Sequence, residues 1–160
     1  LLLLLGLIVY YVFTKRVSIK KEVFKLKYST DGLADFKVLL HVKNNTTKPI
    51  KDVTVIDRLP RVIQPSMEFG TLQPTGVQRG AKGIRMMWKI SELVAGEERI
   101  ISYKVKPRMS VIGRFTLPTA LGKFKSKSKR VVRIRSNRAH VFSGVSESPE
   151  HKKRKAYKSY

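Results

Sequence analysis

From residue 22 onward, the sequence consists largely of short segments in which apolar and polar side chains alternate. In DFKVLLHVKN (35–44), Phe36, Val38, Leu40 and Val42 all fall on one side. Successive side chains of a strand point to opposite faces, so this period of two predicts a β-strand with one face in a core. The same pattern predicts strands at 22–28, 53–59, 84–90, 99–107, 113–124, 129–136 and 139–142.

Turn-forming residues separate these segments, and none of the segments has the period of an amphipathic helix. Asp31-Gly32, Asn44-Asn45 and Ala95-Gly96 are pairs that favour turns. The segment VTVIDRLP ends at Pro60, which cannot donate a ladder hydrogen bond. Short strands joined by such turns predict an all-β fold, an immunoglobulin-like β-sandwich over residues 28–142.

The first thirteen residues, LLLLLGLIVYYVF, are uncharged. As a helix they cover about 20 Å, and a bilayer needs roughly 20 apolar residues, so we expect the rest of the segment to precede Leu1. Tyr10 and Tyr11, followed by Lys15-Arg16, are typical of an aromatic belt at a charged interface. We predict a partial transmembrane helix at 1–14. The core of a signal peptide is the alternative, although no small-residue cleavage pattern follows.

A basic juxtamembrane segment is predicted at 15–27, directly after the anchor. Its cations Lys15, Arg16, Lys20 and Lys21 are expected to lie at the lipid interface, where each adds attraction to anionic head groups. By the positive-inside rule, these charges favour a cytoplasmic location for the domain that follows. We therefore predict a membrane protein that contacts lipid and whose folded domain faces the cytoplasm.

The charge of the chain indicates an anionic partner. Lys and Arg number 34 against 11 Asp and Glu, a net charge of +23. Residues 120–160 are the most basic part, since they carry thirteen of these cations and two of the acids. An acidic protein, anionic lipid and nucleic acid all fit such a charge, and composition does not choose among them.

The basic C-terminal region provides most of the predicted binding surface. Lysines alternate with other residues over 123–129, and an edge strand is predicted next, followed by a disordered basic tail at 143–160. Protection of a sheet edge against aggregation is an alternative role for the strand cations. The residues assigned to the anionic-partner surface are Lys123, Lys125, Lys127, Lys129, Arg130, Arg133, Arg135, Lys152, Lys153, Arg154 and Lys155.

The sequence offers no constellation of catalytic residues. The chain has no cysteine, which excludes disulfides, thiolate zinc sites and cysteine nucleophiles. Its three histidines have no partner at metal-ligand spacing, and Asp52 and Asp57 are expected on opposite faces of one strand. We expect a non-enzymatic protein without cofactor or metal.

The glycine-rich segment GVQRGAKG (76–83) is a possible phosphate-binding loop. Arg79, Lys82 and Arg85 are close in sequence and could contact phosphate. The segment lacks the G-x-x-x-x-G-K-[ST] spacing, and no helix is predicted after it. A flexible basic loop is therefore the alternative interpretation.

Part of the sequence resembles a known family. HVKNNTTKPIKDVTVIDRLP, then Phe69-Gly70, then MWKISELVAGEERIISYKV resemble the conserved-repeat β-sandwich domains of archaeal and bacterial envelope proteins. The resemblance covers about 35–142 and includes LPTALGKF and RSNRAHV as closing strands. It implies a β-sandwich that acts as a stalk, spacer or interaction surface, and it favours an archaeal source. The residues that carry it are Asp57, Leu59, Pro60, Trp88, Ile90, Leu93, Gly96 and Glu97.

We interpret the chain as a membrane-anchored, non-catalytic β-sandwich scaffold or interaction module with a basic surface. One alternative is nucleic-acid or ribonucleoprotein binding near the membrane, through the basic edge and tail. Another is an extracytoplasmic spacer of a cell envelope. Overlapping N-x-T sequons begin at Asn44 and Asn45, and a glycan there would favour this last alternative.

Overall fold

The computed structural model describes residues 17–28, 34–70, 72–108, 113–125 and 130–143. The predicted anchor at 1–14 lies outside them, as does the predicted tail apart from Ser143. In this described part, no helix is long and apolar enough to cross a membrane. Its strands are β1 (Val17–Tyr28), β2 (Ala34–Asn44), β3 (Ile50–Leu59), β4 (Ile63–Phe69), β5 (Gly76–Gly80), β6 (Gly83–Leu93), β7 (Glu98–Pro107), β8 (Gly113–Leu117), β9 (Leu121–Lys125), β10 (Val131–Arg135) and β11 (Ala139–Ser143).

The strands form two main sheets. One has the order β1-β2-β7-β4, the other β10-β9-β3-β6-β5, and β8 pairs separately with β11. All these pairings are antiparallel. The chain passes from one main sheet to the other after β2, because β2 pairs with β7 whereas β3 pairs with β6. The all-β architecture predicted from the alternating segments is confirmed.

The core lies between the main sheets and follows the predicted alternation. In β2, Phe36, Val38, Leu40 and Val42 are all buried. Trp88 of β6 is fully buried and stacks on Tyr103 of β7, with ring centroids 5.6 Å apart. Its indole N–H donates to the carbonyl oxygen of Leu72 at 3.2 Å. This aromatic pair therefore joins the two sheets at the centre of the core.

The first strand begins earlier than the sequence predicts. The sandwich was expected from residue 28, but β1 starts at Val17, which pairs with Asn44 of β2. Val17, Ile19 and Lys21 are buried, whereas Phe24 is half-exposed. The predicted juxtamembrane segment therefore lies largely within a sheet. Lys21, assigned to the lipid interface, is a residue of the protein interior.

The turn after β2 depends on the side chain of Asn44. Its amide nitrogen donates to the carbonyl oxygens of Lys48, Leu93 and Val94 at 2.8, 3.0 and 2.9 Å. Its oxygen accepts from the backbone N–H of Thr46 at 3.0 Å. Asn44 has no exposed surface, so its sequon is inaccessible in the folded chain and its role is to fix the turn.

The β5–β6 hairpin contains a glycine that we expect to be indispensable. Gly83 has φ +120°, and a Cβ there would lie 2.0 Å from the carbonyl oxygen of Leu59. We predict that Gly83→Ala lowers the free energy of unfolding by about 3 kcal/mol or more, because the clash adds to backbone strain. The measurement is urea unfolding followed by tryptophan fluorescence.

Gly80→Ala is the matched control, since it makes the same substitution on the other side of the β5–β6 turn, where Gly80 pairs with Gly83. A Cβ at Gly80 meets nothing within 4 Å. We expect this variant to stay within about 0.5 kcal/mol of wild type. Equal stability of the two variants would contradict the assignment of a steric role to Gly83.

Candidate anion-binding surface

The outer face of the five-stranded sheet is cationic. In β6, Ile84, Met86 and Trp88 point into the core, so Arg85 and Lys89 point to the opposite face. The same alternation assigns cations of β3, β9 and β10 to this outer face. We call the whole set the cationic sheet face: Arg58, Arg85, Lys89, Lys123, Lys125, Arg133 and Arg135.

The register aligns three of these cations in one row across four strands. Lys89 of β6 is opposite Thr54 of β3, Thr54 is opposite Lys123 of β9, and Lys123 is opposite Arg133 of β10. Neighbouring strands are about 4.8 Å apart, so the row extends over roughly 14 Å. A partner that presents several anionic groups could contact these cations simultaneously.

Like charges face each other directly at two positions of this face. Arg58 is opposite Arg85, and Lys123 is opposite Arg133. Cross-strand pairs of like charge destabilise a sheet. Binding of an anion between the paired cations would offset this repulsion, so the arrangement favours a binding role over a purely structural one.

The other main sheet differs because most of its basic side chains have acidic partners, although Lys37 lies opposite Lys104 in the register. There Lys20 pairs with Glu22, His41 with Glu98, Arg99 with Glu97, Lys104 with Glu68 and Lys106 with Asp35. The hydrogen bond from the Lys104 ammonium lowers the pKa of Glu68. The hydrogen bond from Arg99 lowers the pKa of Glu97 in the same way. Among the ion pairs of the described residues, none includes a member of the cationic sheet face.

An open cleft of about 510 Å³ lies on this side of the five-stranded sheet. Its lining combines ammonium and hydroxyl donors from three adjacent strands, together with one carboxylate. Asp52, which supplies the carboxylate, has the left-handed value φ 55°, rare for a residue other than glycine. The polar residues of the lining are Asp52, Thr54, Lys89, Ser91, Lys123 and Lys125.

The cationic sheet face contains some of the residues predicted for the anionic-partner surface and also cations that were not predicted. Lys123, Lys125, Arg133 and Arg135, all predicted, lie together on β9 and β10. Arg130 is exposed just before β10. The β3 and β6 cations were not predicted as members, because their segments are not strongly basic in sequence. The predicted residues Lys127, Lys129, Lys152, Lys153, Arg154 and Lys155 lie outside the described part of the chain, as do the juxtamembrane Lys15 and Arg16.

The possible phosphate loop is a tight hairpin between β5 and β6. Arg79 is opposite Ile84, whereas Gln78 is opposite Arg85. Arg79 and Arg85 therefore lie on opposite faces of the hairpin. Lys82 is exposed at its tip. The structure does not bring Arg79, Lys82 and Arg85 into one phosphate-binding cradle, because the two arginines alternate across the sheet.

A buried polar cluster in the interior was also missed. Lys21 Nζ lies 2.6 Å from Asp57 Oδ1, and both side chains are 0% exposed. The same Nζ donates to the carbonyl oxygen of Pro118 at 2.6 Å. The Tyr103 hydroxyl donates to Asp57 Oδ2 at 2.5 Å. We call Lys21, Asp57 and Tyr103 the buried cluster; it links β1 and β7 of one main sheet to β3 of the other.

Asn137 fixes the backbone next to this cluster. Its side-chain oxygen accepts from the N–H of Lys21 at 2.8 Å, and its side-chain nitrogen donates to the Lys21 carbonyl oxygen at 2.9 Å. The side-chain amide of Asn137, in the segment between β10 and β11, thereby bonds both backbone groups of Lys21. This pairing holds Lys21 at a defined position, so its side chain enters the core at a fixed point.

No protein-family model matches the sequence, and no curated protein does. Solved structures do resemble the fold. The major pilin subunit BcpA of Bacillus cereus has a TM-score of 0.58 at 13% identity, over 79% of this chain and 40% of that chain. A GH20 exo-β-N-acetylglucosaminidase of Vibrio harveyi has a TM-score of 0.51 at 9% identity, over 82% of this chain and 19% of that chain.

What these proteins share with the chain is the fold. A protein of Nocardia farcinica, described as having an immunoglobulin-like fold, has a TM-score of 0.48 at 11% identity, over 80% of this chain and 99% of that chain. The two packed sheets and the likeness to the pilin subunit confirm, at the level of fold, the all-β sandwich predicted from the sequence. The chain spans well under half the length of the pilin and the glycosidase.

The buried hydroxyl of Tyr103 should make the folded chain less stable at alkaline pH, where the hydroxyl ionises. Burial, followed by the Asp57 charge and the hydrogen bond to it, raises the pKa of Tyr103 well above 10.0. Its stabilising contribution is present below the unfolded-state pKa and is lost as pH rises toward the raised folded-state pKa. We predict that the free energy of unfolding falls above about pH 10 and that Tyr103→Phe, compared with wild type, removes this part of the decline. The measurement is urea unfolding at a series of pH values, and parallel curves for both proteins would contradict the prediction.

Proposed function

We propose that the chain is a non-catalytic interaction module that binds an extended anionic partner through the cationic sheet face. The observation that carries the proposal is the difference between the main sheets. On the four-stranded sheet most basic side chains have acidic partners, and where Lys37 opposes Lys104, Lys104 also pairs with Glu68. The opposed cations of the five-stranded sheet have no such partner among the described residues. A folded chain has little reason to maintain that repulsion unless an external anion neutralises it.

Anionic lipid is the partner class that the proposal favours. The uncharged segment at 1–14 would hold the module at a bilayer, with Lys15 and Arg16 at the interface on the cytoplasmic side. A sheet face with cations spaced along and across its strands matches a surface of head groups better than it matches a single small anion. In this arrangement the domain is a membrane-associated scaffold.

Nucleic acid is the second candidate, favoured by the row formed by Lys89, Lys123 and Arg133. Phosphates of a single strand could follow such a row, and binding would then weaken steeply with salt. The extracytoplasmic spacer is less supported. Asn44, one of its two possible glycan sites, is buried and already bonded through its side chain.

The experiment compares vesicle and RNA binding for two charge-reversal variants. Lys123→Glu/Arg133→Glu changes the cationic sheet face, and Lys37→Glu/Lys48→Glu changes exposed lysines elsewhere with the same effect on net charge. We expect the first variant to bind phosphatidylserine vesicles roughly thirtyfold or more weakly, at about 1 kcal/mol for each charge removed. Cosedimentation at several salt concentrations is the measurement.

The control variant distinguishes binding by the cationic sheet face from a general effect of net charge. It should retain most of the wild-type affinity, and the two variants should bind phosphatidylcholine vesicles equally, because only the uncharged segment at 1–14 can attach them there. Equal weakening in both variants would contradict the assignment of binding to the cationic sheet face. Tight binding to single-stranded RNA that Lys123→Glu/Arg133→Glu abolishes, with vesicle binding unchanged in that variant, would favour the second candidate instead.

A further inference from the structure

The buried cluster brings together an amine and a carboxyl group, the two groups that condense to form an amide. Lys21 Nζ and Asp57 Oδ1 are 2.6 Å apart, and neither side chain contacts solvent. In water such groups are charged and hydrated, which keeps them from reacting. Condensation needs a neutral amine, and transfer of one proton from Nζ to Oδ1 along this hydrogen bond would supply the amine and the neutral acid in a single step.

The surrounding groups are placed where condensation needs them. The Tyr103 hydroxyl donates to Asp57 Oδ2 at 2.5 Å, the oxygen on which negative charge would develop during attack at Cγ. Burial raises the pKa of Tyr103, so the phenol keeps its proton and remains a donor. The backbone N–H of Arg58 donates to Oδ1 at 2.8 Å, the oxygen that would leave.

The hydrogen-bonding capacity of the site also fits the product. An ammonium has three N–H donors, and the described residues offer Lys21 two acceptors, Asp57 Oδ1 and the Pro118 carbonyl. A secondary amide has one N–H and one carbonyl oxygen. Pro118 would accept from that N–H, and Tyr103 would donate to that oxygen, so both existing hydrogen bonds would persist in the product.

We propose that Lys21 and Asp57 join in an intramolecular amide bond that covalently links β1 to β3. Lys21 Nζ attacks Asp57 Cγ, the Nζ–Cγ bond forms, and the Cγ–Oδ1 bond breaks. Of the three hydrogens of the original ammonium, two leave with Oδ1 as one water molecule and the third stays on the amide nitrogen. Asp57 Oδ2 becomes the amide oxygen. No oxidant, reductant or cofactor takes part, and the bond forms once per chain.

The test is the mass of the full 160-residue chain after denaturation. We expect a mass lower than that of the sequence by one water molecule. After trypsin digestion, cleavage after Lys21 should be absent, and the peptide that contains Lys21 should be joined to the one that contains Asp57. The unreduced mass after prolonged incubation of the folded protein would overturn the proposal. Loss of water within the Asp57 peptide alone would indicate a cyclic imide and would also overturn it.

Two variants assign the roles of the residues. Lys21→Arg retains a cation but removes the amine, and we expect the full mass. Tyr103→Phe retains the ring that stacks on Trp88 but loses the donor to Oδ2, and we expect bond formation to slow by about a hundredfold, the usual effect of removing one such donor. Linkage in Tyr103→Phe at the wild-type rate would overturn the role given to Tyr103. Should either variant fail to fold, the wild-type mass alone still decides whether the bond exists.

Discussion

The buried contact between Lys21 and Asp57 is the interaction on which the arrangement of the sheets most depends. It joins β1 of the four-stranded sheet to β3 of the five-stranded sheet, and Tyr103 of β7 completes the connection. A buried charge without its partner is strongly destabilising, so the sheets must pack in the one register that brings these groups together. Apolar packing drives the sheets together, and the cluster specifies their alignment.

This fixed alignment has a consequence for the surface. Because β3 is central to the five-stranded sheet, its register with β6 and β9 determines which cations become neighbours. A shift by one residue would turn Lys89 and Lys123 toward the core and move apolar residues outward. The interior polar contact and the cationic sheet face are therefore two results of the same strand alignment.

The sequence predicted the strands well and the polar interactions poorly, for identifiable reasons. Alternation in β2 revealed its core face because every inward residue before Asn44 is apolar. In β1 and β3 a charged residue replaces one inward apolar residue: Lys21 follows Val17 and Ile19 on the same side, and Asp57 follows Val53 and Val55. The inward position of Lys21 and Asp57 in otherwise apolar alternation is the sequence signal from which their contact could have been predicted. Lys21 was instead grouped with neighbouring cations, and its partner is 36 residues away in sequence.

A double-mutant cycle on Lys21→Met and Asp57→Leu tests the central claim most directly. Each single variant leaves one buried polar group without its partner and should lose about 3–5 kcal/mol of unfolding free energy, whereas the double variant should be considerably more stable than the sum of the two losses implies. Urea unfolding of the four proteins gives the coupling energy. Additive losses, or single losses below about 1 kcal/mol, would show that the contact does not determine how the sheets align.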